Sequence, residues 1–102
     1  MYTNKMKFEW DRKKDKLNQI KHNISFNEAT NIFKGPIFSL IDNRKEYNEI
    51  REISIGRLNN SVILVVVHTD RKNIKRIISA RIANQKERRK YYEYIKKASQ
   101  RN

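Results

Sequence analysis

Apolar and polar positions change period several times along this chain, and each change marks an element. Residues 6–10, MKFEW, alternate apolar and polar, as a half-buried strand does. Asp11 stands where a helix N-cap belongs, and residues 12–22 then predict a helix with its apolar positions at Leu17 and Ile20. Asn23 occupies the position after the helix end, where tolerance of left-handed backbone is useful. Ser25 followed by Glu28 forms a capping-box pattern. It opens a short helix bearing Ala29, Ile32 and Phe33, which Gly35-Pro36 stops. Residues 37–41 read as a strand and 42–48 as a polar loop.

Three more strands are expected over 51–58, 62–69 and 74–81, separated by Asn59-Asn60-Ser61 and by residues 70–73. Connections this short cannot make parallel crossovers, so these strands form an antiparallel meander. Asn84 caps a last helix, with Glu87 three residues on, and residues 98–102 fray at its end. Phe8 and Trp10 are most simply core residues. The order β-α-α-β-β-β-β-α predicts one α+β domain spanning 1–102. Its antiparallel sheet carries two N-terminal helices and one C-terminal basic helix.

Charge changes this picture more than length does. The 102 residues carry a formal net charge of +13, which opposes folding by self-repulsion unless a partner offsets it. Nucleic acid, an anionic membrane surface and an acidic protein are the partners such a chain suits. The absence of cysteine removes disulfides and thiolate metal sites. The N-terminus has no apolar signal-peptide core, and the longest apolar run, residues 62–67, is too short for a bilayer. A soluble cytoplasmic protein without membrane contact is the expectation.

The excess is concentrated in residues 71–102, where twelve Lys/Arg face two acids, Glu87 and Glu93. So lopsided a segment is the electrostatic footprint expected for nucleic acid. On the last helix Arg88, Tyr91, Ile95 and Ala98 share a stripe that should dock on the sheet, leaving Lys86, Lys90, Lys97 and Arg101 to solvent. Strand alternation puts Arg76 with Ile74, Ile78 and Ala80, and Arg81 on the other face with Ile77 and Ser79. His68 continues the face of Val62, Leu64 and Val66, while Arg51 and Arg57 share theirs with Ile53 and Ile55. An arginine on an apolar strand face is costly unless it is paired or opens on a cleft. For any one of them, pairing with a glutamate such as Glu49 or Glu87 is the plainer reading; as a group they favour a site.

His68 and His22 are the only side chains with an ordinary pKa close to neutral. His22, at a helix C-terminus, has a structural use there through the macrodipole. Two separated histidines make no metal site, and there is no Gly-rich phosphate loop. Neither metal nor cofactor is expected. The fitting chemistry is RNA cleavage, in which a base takes the 2′-OH proton and cations stabilise charge developing on phosphorus. The candidate catalytic residues are His68, Arg81, Arg88 and Tyr91, and the candidate RNA contacts are Arg51, Arg57, Arg76 and Arg89. A non-catalytic nucleic-acid binder is the alternative, and a module whose basic face meets an acidic protein is a third reading.

Several motifs meet a family pattern. Phe8-Glu9-Trp10-Asp11, Lys21-His22-Asn23-Ile24-Ser25-Phe26 and Glu28-Ala29 resemble the N-terminal half of the BrnT family. Ile55-Gly56, Leu64-Val65-Val66-Val67-His68-Thr69, Arg76-Ile77-Ile78-Ser79-Ala80-Arg81 and Glu87-Arg88-Arg89-Lys90-Tyr91 resemble its C-terminal half. Asn23, Glu52 and Tyr92 depart from it, standing where a glycine, an aromatic and an acid are usual. The resemblance implies a RelE-like fold and an endoribonuclease toxin of a type II toxin–antitoxin system that inhibits translation. It also implies neutralisation by a BrnA-like antitoxin, with operator DNA contacted only through the toxin–antitoxin complex.

Overall fold

Caps at Asp11 and Asn23 and two capping boxes divide the chain as the sequence proposes. In a computed structural model, which describes residues 6–44, 46 and 48–100, Asp11 accepts hydrogen bonds from the Lys13 and Lys14 amides. Asn23 ends that helix with φ of 59°, in the left-handed region. Both Ser25/Glu28 and Asn84/Glu87 form reciprocal capping boxes. The elements are β1 (Lys7–Trp10), α1 (Arg12–His22), α2 (Phe26–Ala29) with a 3-10 turn (Thr30–Lys34), β2 (Ile37–Ile41), β3 (Glu52–Arg57), β4 (Ile63–Arg71), β5 (Ile74–Ile82) and α3 (Gln85–Ser99). The expected fraying of 98–102 falls partly on Arg101 and Asn102, and part of the 42–48 loop on Lys45 and Tyr47; these lie outside the described residues.

The strands form one sheet in the order β1-β5-β4-β3-β2. From β2 to β5 every pairing is antiparallel, as the short connections require. The expectation of a wholly antiparallel sheet fails at β1, which pairs with β5 in parallel. No hairpin links those two strands, so nothing in their connection forces an antiparallel sense. The β4–β5 turn is also tighter than expected. Asp70 and Arg71 continue β4, and Lys72 and Asn73 make a two-residue turn, both with positive φ.

The sheet buries both faces. On one, Ile24, Phe26, Ala29, Ile32 and Phe33 pack against Leu64, Val66, Ile77 and Ala80, with Phe8 and Trp10 at the margin. Gly56 belongs here: a Cβ would lie 2.8 Å from the Ile32 Cβ, so the 3-10 turn approaches β3 as closely as glycine permits. On the other face α3 buries Tyr91 against Ile55, Ile63, Val65 and Ala83.

Helix α1 turns differently from its apolar pattern. Leu17 and Ile20 are 64% and 83% exposed, and the buried residue is Asn18. Strand β1 stops pairing at Ile77, which leaves the edge of β5 away from β4 without a strand neighbour beyond that point. Asn18 takes that place: its Nδ2 donates to the carbonyls of Ala80 (2.8 Å) and Ile24 (2.9 Å), and its Oδ1 accepts the Ala80 amide. A buried amide that completes three backbone bonds outweighs two apolar side chains a residue away.

A second buried polar group lies in the same layer. His68 Nδ1 is 2.7 Å from Asp70, whose other oxygen meets Lys75 Nζ at 2.6 Å. His68 Nε2 is 2.7 Å from the Ser54 hydroxyl, itself 2.8 Å from Ser39 Oγ. A carboxylate only accepts, so Nδ1 donates to Asp70 and the neutral ring accepts from Ser54. Burial lowers the His68 pKa from 6.5, against the pull of the Asp70 hydrogen bond and of Glu52, with Lys75 adding to the lowering.

Two outcomes follow from these groups. Asn18→Ala should lower unfolding free energy by about 2–4 kcal/mol in urea titrations, because it strands buried backbone groups. For His68, the unfolded chain takes up a proton near pH 6.5 that the folded protein refuses until lower pH. Its contribution is therefore complete above that value and lost as pH falls through the folded pKa. The urea midpoint should drop between about pH 7.5 and about pH 5.5, and His68→Gln should flatten that slope.

Candidate nucleic-acid interface

The register of β4 against β5 decides where the arginines point. Val67 pairs with Ser79 but His68 pairs with Ile77, so Ile78 is an extra residue in a β-bulge. Ile77 and Ala80 therefore both enter the core under α1 and α2, although strict alternation separates them. The bulge corrects the sequence-based assignment of opposite faces: Arg76, paired with Thr69, and Arg81, paired with Val65, lie on the same face, the one that carries α3. Arg51 and Arg57 alternate with Ile53 and Ile55 on this face as expected. His68, also as expected, shares the face of Leu64 and Val66, opposite the arginines, and is buried there with its ring edge-on to Phe33 at 5.1 Å.

Most of these arginines have carboxylate partners. Arg81 grips Glu87 with both terminal nitrogens, at 2.8 and 2.7 Å. Glu87 also closes the α3 capping box on the Asn84 amide. The pairing raises the Arg81 pKa and lowers that of Glu87, each chiefly through the hydrogen bond with the other. Arg76 meets Glu9 at 2.7 Å, and Arg51 and Arg71 flank Glu49 at 3.7 and 3.8 Å. So the plainer reading, structural pairing, describes Arg81, Arg76 and Arg51 as they stand.

Arg57 and Arg88 differ. Among the described residues neither has a carboxylate within 4.0 Å. Their guanidiniums both lie 5.8 Å from the centre of the Tyr92 ring, and Arg88 also donates to the Ser61 carbonyl at 3.0 Å. Two cations on one aromatic ring are held partly by the ring's negative face. They repel one another, and an anion between or beside them relieves that repulsion. Arg89 is exposed on α3, adjoining this cluster in sequence.

Tyr91 is docked, as the helix stripe predicts. Its phenol donates to the Pro36 carbonyl at 2.8 Å, and burial pushes its pKa up. In this arrangement the hydroxyl anchors α3 to the start of β2. Glu52, His68 and Asp70 bring possible metal-ligand atoms within 4.8 Å of one another. Lys75 occupies one Asp70 oxygen and both His68 nitrogens are engaged, so the set as arranged is a hydrogen-bond chain.

Tyr92 is the functional candidate that the sequence reading missed. Its i, i+4 relation to Arg88 was available as a signal; its meeting with Arg57, across the sheet, was not. A groove of about 470 Å³ adjoins this cluster, between α3 and the β3–β4 turn, with Arg57, Lys34, Leu58, Asn60 and Ile95 among its walls.

Comparison with known proteins agrees with the motifs. A family model described as "Ribonuclease toxin, BrnT, of type II toxin-antitoxin system" matches residues 10–87. The 1.1 Å crystal structure of the Brucella abortus ribonuclease toxin BrnT is similar, with a TM-score of 0.59 and 25% identity, over 79% of this chain and 100% of that one. No curated protein sequence matches. With most of its length under the family model, and a mixed five-stranded sheet matching a solved member, the chain belongs to the BrnT family of type II toxin–antitoxin ribonuclease toxins.

Proposed function

We propose that this chain is an endoribonuclease toxin that cuts RNA without a metal ion, using the face that carries α3. The observation that carries the reading is the Arg57–Tyr92–Arg88 cluster, two guanidiniums on one ring with no carboxylate partner among the described residues. In cleavage by 2′-OH attack, the 2′-oxygen gives its proton to a base and bonds to phosphorus. Negative charge grows on the phosphoryl oxygens, and the bond to the 5′-oxygen then breaks as that oxygen takes up a proton. Fixed guanidiniums stabilise that charge permanently and in bidentate geometry. Arg57 and Arg88 take this role. Arg81 acts through Glu87, holding the first turn of α3 so that Arg88 faces the turn at Ser61. Arg51, Arg76 and Arg89 guide the RNA backbone towards the cluster, and Tyr91 positions α3.

His68 in this reading is a positioning residue, because the sheet separates it from the cluster. The antiparallel β2–β5 unit with α3 across it is read as a RelE-like arrangement. The partner is a BrnA-like antitoxin whose acidic surface covers the arginines, and operator DNA is contacted only through that complex. The cytoplasm, where translated RNA is found, is the site of action. No helix among the described residues is long and apolar enough to cross a membrane.

Purified protein should degrade RNA in the presence of EDTA. Arg57→Ala and Arg88→Ala should each slow cleavage roughly 100-fold, with circular dichroism unchanged. Binding that weakens steeply with salt but yields no cleaved product would instead support the non-catalytic nucleic-acid binder.

A further inference from the structure

We propose that the groove between α3 and the β3–β4 turn is a subsite for one unstacked nucleotide of single-stranded RNA. This rests on the RNA reading above and adds to it the part of the substrate that the protein recognises. The groove is about 470 Å³, within the range of small-ligand sites. Its walls sort by chemistry. Leu58 and Ile95 are half-buried and, with the buried Tyr91, give an apolar floor for a planar base. Lys34 and Arg57 supply cations at the rim, and Asn31 and Asn60 supply amides.

The groove contains no carboxylate. That separates it from the two grooves at the far end of the arginine face, both of which include Glu49. An anion entering those sites meets a glutamate; one entering here meets only cations. Arg57 joins the groove to the Tyr92 cluster, so a chain whose phosphate lies on Arg57 and Arg88 can place an adjoining base in the groove.

The amides give a means of discrimination. Asn59 is occupied, its Oδ1 accepting the Ser61 and Val62 amides and shaping the turn. Asn31 uses its Nδ2 on the Glu28 carbonyl, which leaves its oxygen as an acceptor. Asn60 is exposed at the tip of the turn and makes no side-chain hydrogen bond with another described residue. A carboxamide offers a donor and an acceptor in one plane, the pattern needed to read a base edge. Duplex RNA hides those edges, whereas a single strand can turn one base out of its stack. An acidic peptide would satisfy the cations but make little use of the apolar floor and the amides, so RNA is the occupant favoured.

The test uses a labelled six-nucleotide 2′-O-methyl RNA, which binds but lacks the attacking hydroxyl. Each nucleotide is replaced in turn by an abasic one, and affinity is read by fluorescence anisotropy. One position should cost the wild-type protein roughly tenfold and the others little, as loss of a single bound base predicts. Asn60→Ala should reduce that penalty to about twofold. Lys34→Ala should weaken every oligonucleotide alike and lower the salt slope by about one. Both side chains are exposed, so the fold should survive. Equal cost at every abasic position, no oligonucleotide binding, or indifference to both substitutions would overturn the subsite. So would displacement of the RNA by an acidic peptide at matched concentration. If the same oligonucleotide with free 2′-hydroxyls stays uncut while the abasic penalty persists, the nuclease reading fails and the subsite stands.

Discussion

The bidentate contact between Arg81 and Glu87 joins the end of the sheet to the start of α3, and the rest of the basic face is arranged from there. Arg81 is the penultimate residue of β5, and Glu87 is the N3 residue of a capping box. One carboxylate thus serves the helix N-terminus and a strand arginine at once. Partly exposed pairs contribute only about 1 kcal/mol to stability, so the value of this one is directional. It sets the angle at which α3 leaves the sheet, and Tyr91 on Pro36 sets where it lands. Between those two points, Arg88 and Tyr92 have little choice of position.

The two faces of the sheet divide the polar residues by function. Under α1 and α2, buried polar groups are satisfied internally: Asn18 completes the β5 edge, and Ser54, His68 and Asp70 bond in series. Beneath α3, arginines stand at the margins of an apolar centre, and the buried Thr69 donates to the Ile50 carbonyl. The bulge at Ile78 makes this separation possible. It moves Arg76 to the arginine face while keeping both Ile77 and Ala80 in the other core. Without the extra residue, Arg76 would point into the layer that holds Phe33 and His68.

Caps, turns and hairpin order were legible because they depend on residues within a few positions of one another. Asp11, Asn23, Ser25, Asn84 and Glu87 act on backbone groups next to them, and all behave as their types predict. The basic corner was legible as a charge imbalance, and α3's docking stripe as a period. Long-range pairings were not. Leu17 and Ile20 suggested an inward face, but Asn18 won it because Ala80, sixty-two residues away, needed partners. The burial of His68 followed its strand parity, but that the arginines lie on the opposite face became visible only with the register of β4 against β5.

The amino-acid sequence by itself determined the element order, the antiparallel run from β2 to β5, the family and the concentration of positive charge near the C-terminus. Local hydrogen bonding and side-chain period are sufficient for these, because each involves neighbours in the chain. The tertiary structure alone decided the parallel pairing of β1, the register that put Arg76 and Arg81 on one face, and which arginines met glutamates. It also decided that Arg57 would share the ring of Tyr92 with Arg88. An arginine's role depends on the charge nearest to it in space. In this fold that charge usually comes from another element, so composition could count the cations but could not say that, among the described residues, Arg57 and Arg88 have no carboxylate within 4.0 Å.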